Sequence, residues 1–192
     1  MGREFELKYE ANRDVLEILK QRYPHLAPIS METTYYDTPG GHMGKLLWTF
    51  RRRMENGKSV ITLKTPAGGH GRNEWETECD DLMVGVERLA QNGAPAQIMA
   101  FAARDGFVPC CGAKFTRLAG LLEIEGATVE IALDEGTLLG GGRVLPFIEV
   151  EVELKAGSEE AAVLFGERIA KELNLKPQPR SKVARARKLA GL

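Results

Sequence analysis

Several short stretches of this chain alternate strictly between charged and apolar residues. A period of two restricts them to β-strands with one apolar and one charged face. The sharpest runs from Phe147 to Lys155, where Glu149, Glu151 and Glu153 interleave with Ile148, Val150, Val152 and Leu154. The N-terminus repeats the pattern, with Glu4, Glu6 and Lys8 on one side and Phe5, Leu7 and Tyr9 on the other. Over residues 46–54, Arg51 and Arg53 share a face with Leu47 and Thr49, while Arg52 falls with Leu46, Trp48 and Phe50. Asn56-Gly57 signals a hairpin turn into a return strand over 59–64, which carries Lys64. Residues 72–78 alternate Arg72, Glu74, Glu76 and Glu78 with Asn73, Trp75 and Thr77. Shorter runs over 114–118 and 128–134 hold Lys114 and Arg117, and Glu130 and Asp134. One such strand alone would mark a solvated sheet face. Acidic and basic strands together leave two architectures: an open sheet with a wet charged face, or a closed barrel with charge inside and apolar residues outside under helices.

Helices to cover such an outer face are present. Residues 13–23 stop before Pro24, 80–92 start on Asp80, 95–104 start on Pro95, and 158–173 start on Ser158. A basic segment, 181–189, carries Lys182, Arg185, Arg187 and Lys188 and reads either as a cap on one mouth of the barrel or as a solvated helix face. The stretches 66–71 and 140–142 read as loops, and Trp48 and Trp75 share the core parity. His25, His42 and His70 receive no role. At 192 residues the chain suits a single domain, 1–192. With 26 basic and 27 acidic residues it has none of the excess charge of a general nucleic-acid or membrane binder. Cys79, Cys110 and Cys111 show no metal-ligand spacing and read as reduced thiols of a cytoplasmic protein. The charged N-terminus is unlike a signal peptide, and Glu6 stands where a myristoylation motif needs Ser or Thr. No stretch approaches the length of a transmembrane helix.

If the strands close, Arg51, Arg53, Lys64, Lys114 and Arg117 line part of a lumen, and Glu4, Glu6, Glu149, Glu151 and Glu153 line another. So many charges do not stay ionised in a dry core without partners. A wet tunnel that takes a polyanion and a hard divalent cation resolves this. Guanidinium groups match phosphate oxygens, and clustered carboxylates match Mg²⁺ or Mn²⁺.

Glu4-Phe5-Glu6-Leu7-Lys8 resembles the E-x-E-x-K signature of the CYTH superfamily, the triphosphate tunnel metalloenzymes. Further motifs follow in order: Tyr35-Tyr36-Asp37-Thr38-Pro39, Arg51-Arg52-Arg53, Thr62-Leu63-Lys64, the strand with Arg72, Glu74 and Glu76, Phe115-Thr116-Arg117, Leu133-Asp134, Glu149/Glu151/Glu153 and Ser181-Lys182. Phe115 departs from the family, in which a lysine is common there, and a regular strand turns Lys114 away from Arg117. The resemblance implies an α+β fold: an eight-stranded antiparallel β-barrel, the triphosphate tunnel, with helices packed outside. It implies metal-dependent hydrolysis of a triphosphate, most simply tripolyphosphate to pyrophosphate and phosphate. Adenylate cyclase, organic triphosphatase on thiamine, nucleoside or RNA 5′-triphosphates, and a non-catalytic polyphosphate-binding module are the alternatives. The organic substrates need a pocket for a base or thiazolium, and none is evident in the sequence. The implied metal ligands are Glu4, Glu6, Glu76, Asp134, Glu149, Glu151 and Glu153, with Glu130 a further candidate for a second ion. Arg51, Arg53, Lys64, Arg72, Arg117, Lys182 and Arg185 would bind substrate, and Lys8, beside Glu4 and Glu6, would position water or the terminal phosphoryl group. A small-molecule triphosphate is the expected partner, and a homodimer is compatible with the pattern.

Overall fold

A computed structural model of the protein describes residues 2–67 and 71–192. His70 and the rest of 68–70, half of the expected 66–71 loop, lie outside the described residues. Among these, the chain runs β1 (Gly2–Glu4), β2 (Glu6–Glu10), α1 (Arg13–Arg22), β3 (Ala27–Asp37), α2 (His42–Lys45), β4 (Thr49–Glu55), β5 (Lys58–Pro66), β6 (Arg72–Glu78), α3 (Leu82–Gln91), α4 (Gln97–Arg104), β7 (Val108–Ile124), β8 (Ala127–Gly140), β9 (Arg143–Gly157), α5 (Glu159–Glu172), β10 (Lys176–Pro177) and α6 (Lys182–Ala190).

Hydrogen-bonded neighbours follow the order β1-β6-β5-β4-β3-β7-β8-β9-β2-β10, with antiparallel pairing throughout. β1 and β2 are the two halves of one N-terminal stretch, interrupted at Phe5. One half pairs with β6 and the other with β9. The sheet therefore returns on itself through the covalent chain at Phe5, not through a further ladder. Counting that stretch once and setting aside the two-residue β10 leaves the expected eight strands.

Two apolar clusters seal the outside. Phe5, Ile131, Leu133, Val150 and Val152 pack under α1 and α5, against Leu16, Leu19, Phe165 and Ile169. Phe50, Ile61, Leu63 and Trp75 pack under α3 and α4, against Val86, Leu89 and Ile98. A third cluster lies on the interior face at one end, where Val183 and Ala186 of α6 meet Tyr35, Phe115, Leu138 and Phe147. The last helix is thus inserted into the barrel end.

Asn56 and Gly57 adopt φ of 49° and 86°, as a two-residue hairpin turn requires. Capping residues Asn12, Asp81, Ser158 and Ser181 accept backbone hydrogen bonds at the starts of α1, α3, α5 and α6. Two strand expectations change. Residues 46–48 are not strand: α2 precedes them and Leu47 is left-handed with φ of 57°, so the strand starts at Thr49. β7, β8 and β9 extend well past 114–118, 128–134 and 147–155, because their ends carry small or apolar residues on both faces and the period-two contrast fades there.

Candidate active site

Strand register places the charges in facing walls of one cavity of about 290 Å³. On the cationic wall, Arg51 lies beside Tyr35 and Thr62, and Thr62 beside Glu76. Lys64 lies between Thr49 and Glu74. Arg51 and Arg53 are each 9% exposed despite their size. Arg53 reaches Thr33 Oγ1 at 3.3 Å and Glu55 at 3.2 Å. Burial, reinforced by the positive charges of Arg51 and Arg117, pushes the Arg53 guanidinium down to about 10. Arg72 closes the rim, donating to the Leu47 carbonyl at 2.8 Å. Burial lowers its pKa, and Glu4 and Glu6 only partly offset this. As parity requires, Arg52 points away and reaches the Asp80 carbonyl at 3.4 Å. Lys114 also points away, 67% exposed beside Glu32 at 3.5 Å, while Phe115 takes the interior side.

The opposite wall is acidic. Glu130, Glu153 and Glu6 lie abreast on β8, β9 and β2. Burial pushes the Glu153 carboxyl up; Lys155 at 2.8 Å opposes this, and the carboxylates of Glu4 and Glu130 add to it. Lys8 bridges to Glu6 at 2.6 Å. Glu4 holds Lys64 through one oxygen, while its Oε2 is buried with no hydrogen-bond partner. Lys64 also reaches Glu74 at 3.2 Å, and Arg51 lies 3.8 Å from the same carboxylate. Burial would raise Glu74, but Lys64 and Arg51 outweigh it and hold the group below the usual carboxylate range. Glu74 is thus an ion-pair partner inside the cavity, and Glu76 lines it from an exposed position.

Deeper in, α6 drives three basic side chains onto acids. Lys182 Nζ sits 2.8 Å from Asp134, 2.7 Å from Glu149 and 2.7 Å from Glu151, above the rings of Phe115 and Phe147. Arg117 grips Asp134 through two hydrogen bonds of 2.8 and 2.7 Å and also holds Glu151. Arg185 pairs with Glu149, and Arg187 with Asp37 at 2.6 Å. The reading of 181–189 as a solvated basic face is therefore corrected, since these three side chains turn inward. Burial would lower Lys182 and Arg117, but the surrounding carboxylates win and raise both. Burial would likewise raise Glu151, yet Lys182 and Arg117 hold it well below the usual range.

Glu4, Glu6, Lys8, Arg51, Arg53, Lys64, Arg72, Glu76, Arg117, Glu151, Glu153 and Lys182 all line this cavity. Asp134, Glu149 and Arg185 do not line it; they lie behind Arg117 and Lys182. Among the described residues, the acid cluster compact enough for a metal is Asp134, Glu149 and Glu151, with ligand oxygens within 4.8 Å of one another. Lys182 already places its ammonium at that centre. The outer acids fit a hard divalent cation differently. They provide an all-oxygen donor set, an orphaned buried oxygen on Glu4, and a Glu153 carboxyl raised in part by its acidic neighbours. Tyr35, Glu55 and Lys155 also line the cavity and were not singled out for the site from sequence. Lys155 shares parity with Glu153, which was the available signal.

A second, larger hollow of about 1070 Å³ adjoins the first and shares Glu4, Glu6, Lys8, Thr49 and Arg72 with it. Its remaining walls include Leu47, Trp48, Pro66, Pro177 and Pro179. No such hollow was evident in the sequence. Trp48, expected in the core, is only half-buried and borders this vestibule.

An antiparallel sheet that returns on itself thus encloses a cavity lined by both guanidinium and ammonium groups and carboxylates. The family model of the CYTH domain matches residues 2–186, and the chain belongs to that family. It is 28% identical over 163 residues, 79% of its length, to the inorganic triphosphatase of Haemophilus influenzae, and spans 44% of that relative. Among solved structures, an adenylyl cyclase candidate from Hippeastrum, described as having a dominant triphosphatase activity, superposes with a TM-score of 0.67 at 19% identity, covering 98% of this chain and 96% of its own. A protein of Pyrococcus horikoshii OT3 gives 0.66 at 22% identity, covering 97% and 99%. An adenylate cyclase candidate from Bacillus halodurans gives 0.61 at 16%, covering 94% and 96%. These likenesses establish the shared fold. No helix among the described residues is long and apolar enough to cross a membrane.

Proposed function

We propose that the protein is a metal-dependent triphosphatase that hydrolyses inorganic tripolyphosphate to pyrophosphate and phosphate. The mixed lining carries this reading: Arg51, Arg53, Lys64 and Arg72 share with Glu4, Glu6 and Glu153 a cavity small enough to favour a compact polyanion. The guanidinium groups clamp phosphate oxygens and offset the charge that develops on them as the terminal phosphoryl group transfers. Lys64 exchanges Glu4 for a phosphate oxygen, which frees the Glu4 carboxylate. Glu4, Glu6 and Glu153, with Glu130 and Glu76 at the margin, would hold Mg²⁺ or Mn²⁺. Bound there, the ion would polarise the phosphoryl oxygens and lower the pKa of a coordinated water. Lys8, tethered to Glu6, orients the attacking water. A new P–O bond forms to that water, and the bridging P–O bond breaks to release pyrophosphate. Lys182 and Arg117, neutralised by Asp134, Glu149 and Glu151, form the rigid floor of the site.

The adjoining vestibule favours a second reading on the same site, an organic triphosphate whose base or thiazolium rests against Trp48 and Leu47. A phosphate-release panel separates the two: tripolyphosphate, ATP, thiamine triphosphate and pyrophosphate, each with Mg²⁺ and with Mn²⁺. The primary reading expects the highest kcat/KM with tripolyphosphate. Preference for an organic substrate by an order of magnitude would replace it with the second, and phosphate release from none of them would refute both.

A further inference from the structure

Cys110 and Cys111 are neighbours in β7, and in a regular strand their side chains would point to opposite faces. Here they do not. Tyr35 pairs with Cys111 and Tyr36 with Pro109, so Cys110 is the extra residue of a β-bulge. The bulge turns both thiols to one side and brings their sulfurs to 3.7 Å, with Cys110 Sγ also donating to the Tyr35 carbonyl at 3.3 Å. Both residues are half-buried, so the pair is neither sealed in the core nor free to rotate in solvent.

The geometry points to a vicinal dithiol site for a soft divalent cation of the Zn²⁺ or Cd²⁺ class, with water completing its coordination. Two thiolates on a tetrahedral ion, at about 2.3 Å each, place their sulfurs about 3.8 Å apart. The observed separation already matches this, so the ion fits without moving the backbone. A direct disulfide fits less well. Adjacent Cα atoms lie about 3.8 Å apart, whereas unstrained disulfides need at least about 4.4 Å. Binding forms two S–metal bonds and releases two protons to solvent, with no electron transferred. The surroundings suit the neutral unit that results. Arg187 and Asp37 form an ion pair at 2.6 Å, and their charges act on the thiols in opposite senses.

The site is independent of the phosphate chemistry and is tested without it. The reduced full-length protein is titrated with Cd²⁺ in excess Mg²⁺, which occupies the carboxylates, while the ultraviolet sulfur-to-cadmium charge-transfer band is followed. One Cd²⁺ per chain is expected. Cys110→Ser and Cys111→Ser should each weaken it at least about tenfold, the double variant should abolish the band, and Cys79→Ser should leave it unchanged. A band that survives in the double variant, or disappears with Cys79→Ser, overturns the proposal. Should the variants fail to fold, alkylation of the wild-type protein gives the same answer. Cd²⁺ should protect Cys110 and Cys111 together while Cys79 still reacts, and equal protection of all three thiols, or of none, counts against the site.

Discussion

Three consecutive arginines on β4 provide an internal control for the register of the tunnel. Arg51 and Arg53 lie on the cavity face at 9% exposure, and Arg52 on the outer face reaches only the Asp80 carbonyl. Replacing each by methionine keeps most of the stem and removes the charge. A charge-assisted contact to phosphate contributes about 1.5–3 kcal/mol, so kcat/KM with tripolyphosphate should fall about tenfold to a hundredfold for each inward arginine. Arg52→Met should stay within about threefold, because an exposed charge contributes little. Stability should move the other way at Arg53. Its pKa is lowered from 12.5 to about 10, so holding the charge in the fold costs about 3 kcal/mol at most. Removing it forfeits the hydrogen bond to Thr33, about 1 kcal/mol, while the attraction of Glu55 is already contained in that lowered pKa. The balance is a gain of about 2 kcal/mol at most, or about 4–8 °C in Tm for a chain of this size. Steady-state phosphate release and thermal unfolding on the same preparations measure both. An Arg53→Met protein that is less stable yet fully active, or an Arg52→Met protein that is the most impaired, would refute the register and the polyanion site together.

Chelation with EDTA should abolish phosphate release, and excess Mg²⁺ should restore it; Ca²⁺ should restore little, because its looser coordination misplaces the phosphoryl group. Glu4→Gln should lose activity far more than stability, since it removes a ligand charge next to other carboxylates; a variant that is unfolded, or folded and fully active, shows the residue to be structural. Glu151→Gln should behave in reverse and cost about 3–5 kcal/mol at neutral pH, by leaving Lys182 and Arg117 under-neutralised in a buried site. Its folded pKa is depressed, so the stability it contributes is complete above about 4.5, the ordinary value, and is lost as pH falls towards the folded value. Denaturant unfolding below pH 5 should therefore show a shallower acid slope in the variant than in the wild type. Trp48→Ala should leave tripolyphosphate kinetics unchanged while raising KM for an organic triphosphate.

Period-two alternation is a local property of the backbone, so the sequence determined by itself which side of each strand would be charged. Glu4, Glu6, Lys8, Arg51, Arg53 and Lys64 all face the cavity that their parity assigned, and Arg52 and Lys114 face away. The Ser158 cap and the Asn56-Gly57 turn were legible for the same reason, since a few adjacent residues fix them; α3, by contrast, is capped by Asp81 and not Asp80, and α4 starts at Gln97 and not at Pro95. Tertiary structure decided what parity cannot express. Alternation says which face a side chain leaves by but not how far along the strand its partner sits, so only the register set Glu130, Glu153 and Glu6 abreast. Nor could it show that Lys182 sits at the centre of Asp134, Glu149 and Glu151, because that contact joins a helix to two strands far away in sequence. The left-handed turn at Leu47, which opens the vestibule beside Trp48, interrupts an alternation that looked unbroken. The bulge at Cys110 does the same in β7, turning two neighbouring thiols to one side where the period alone would have kept them apart.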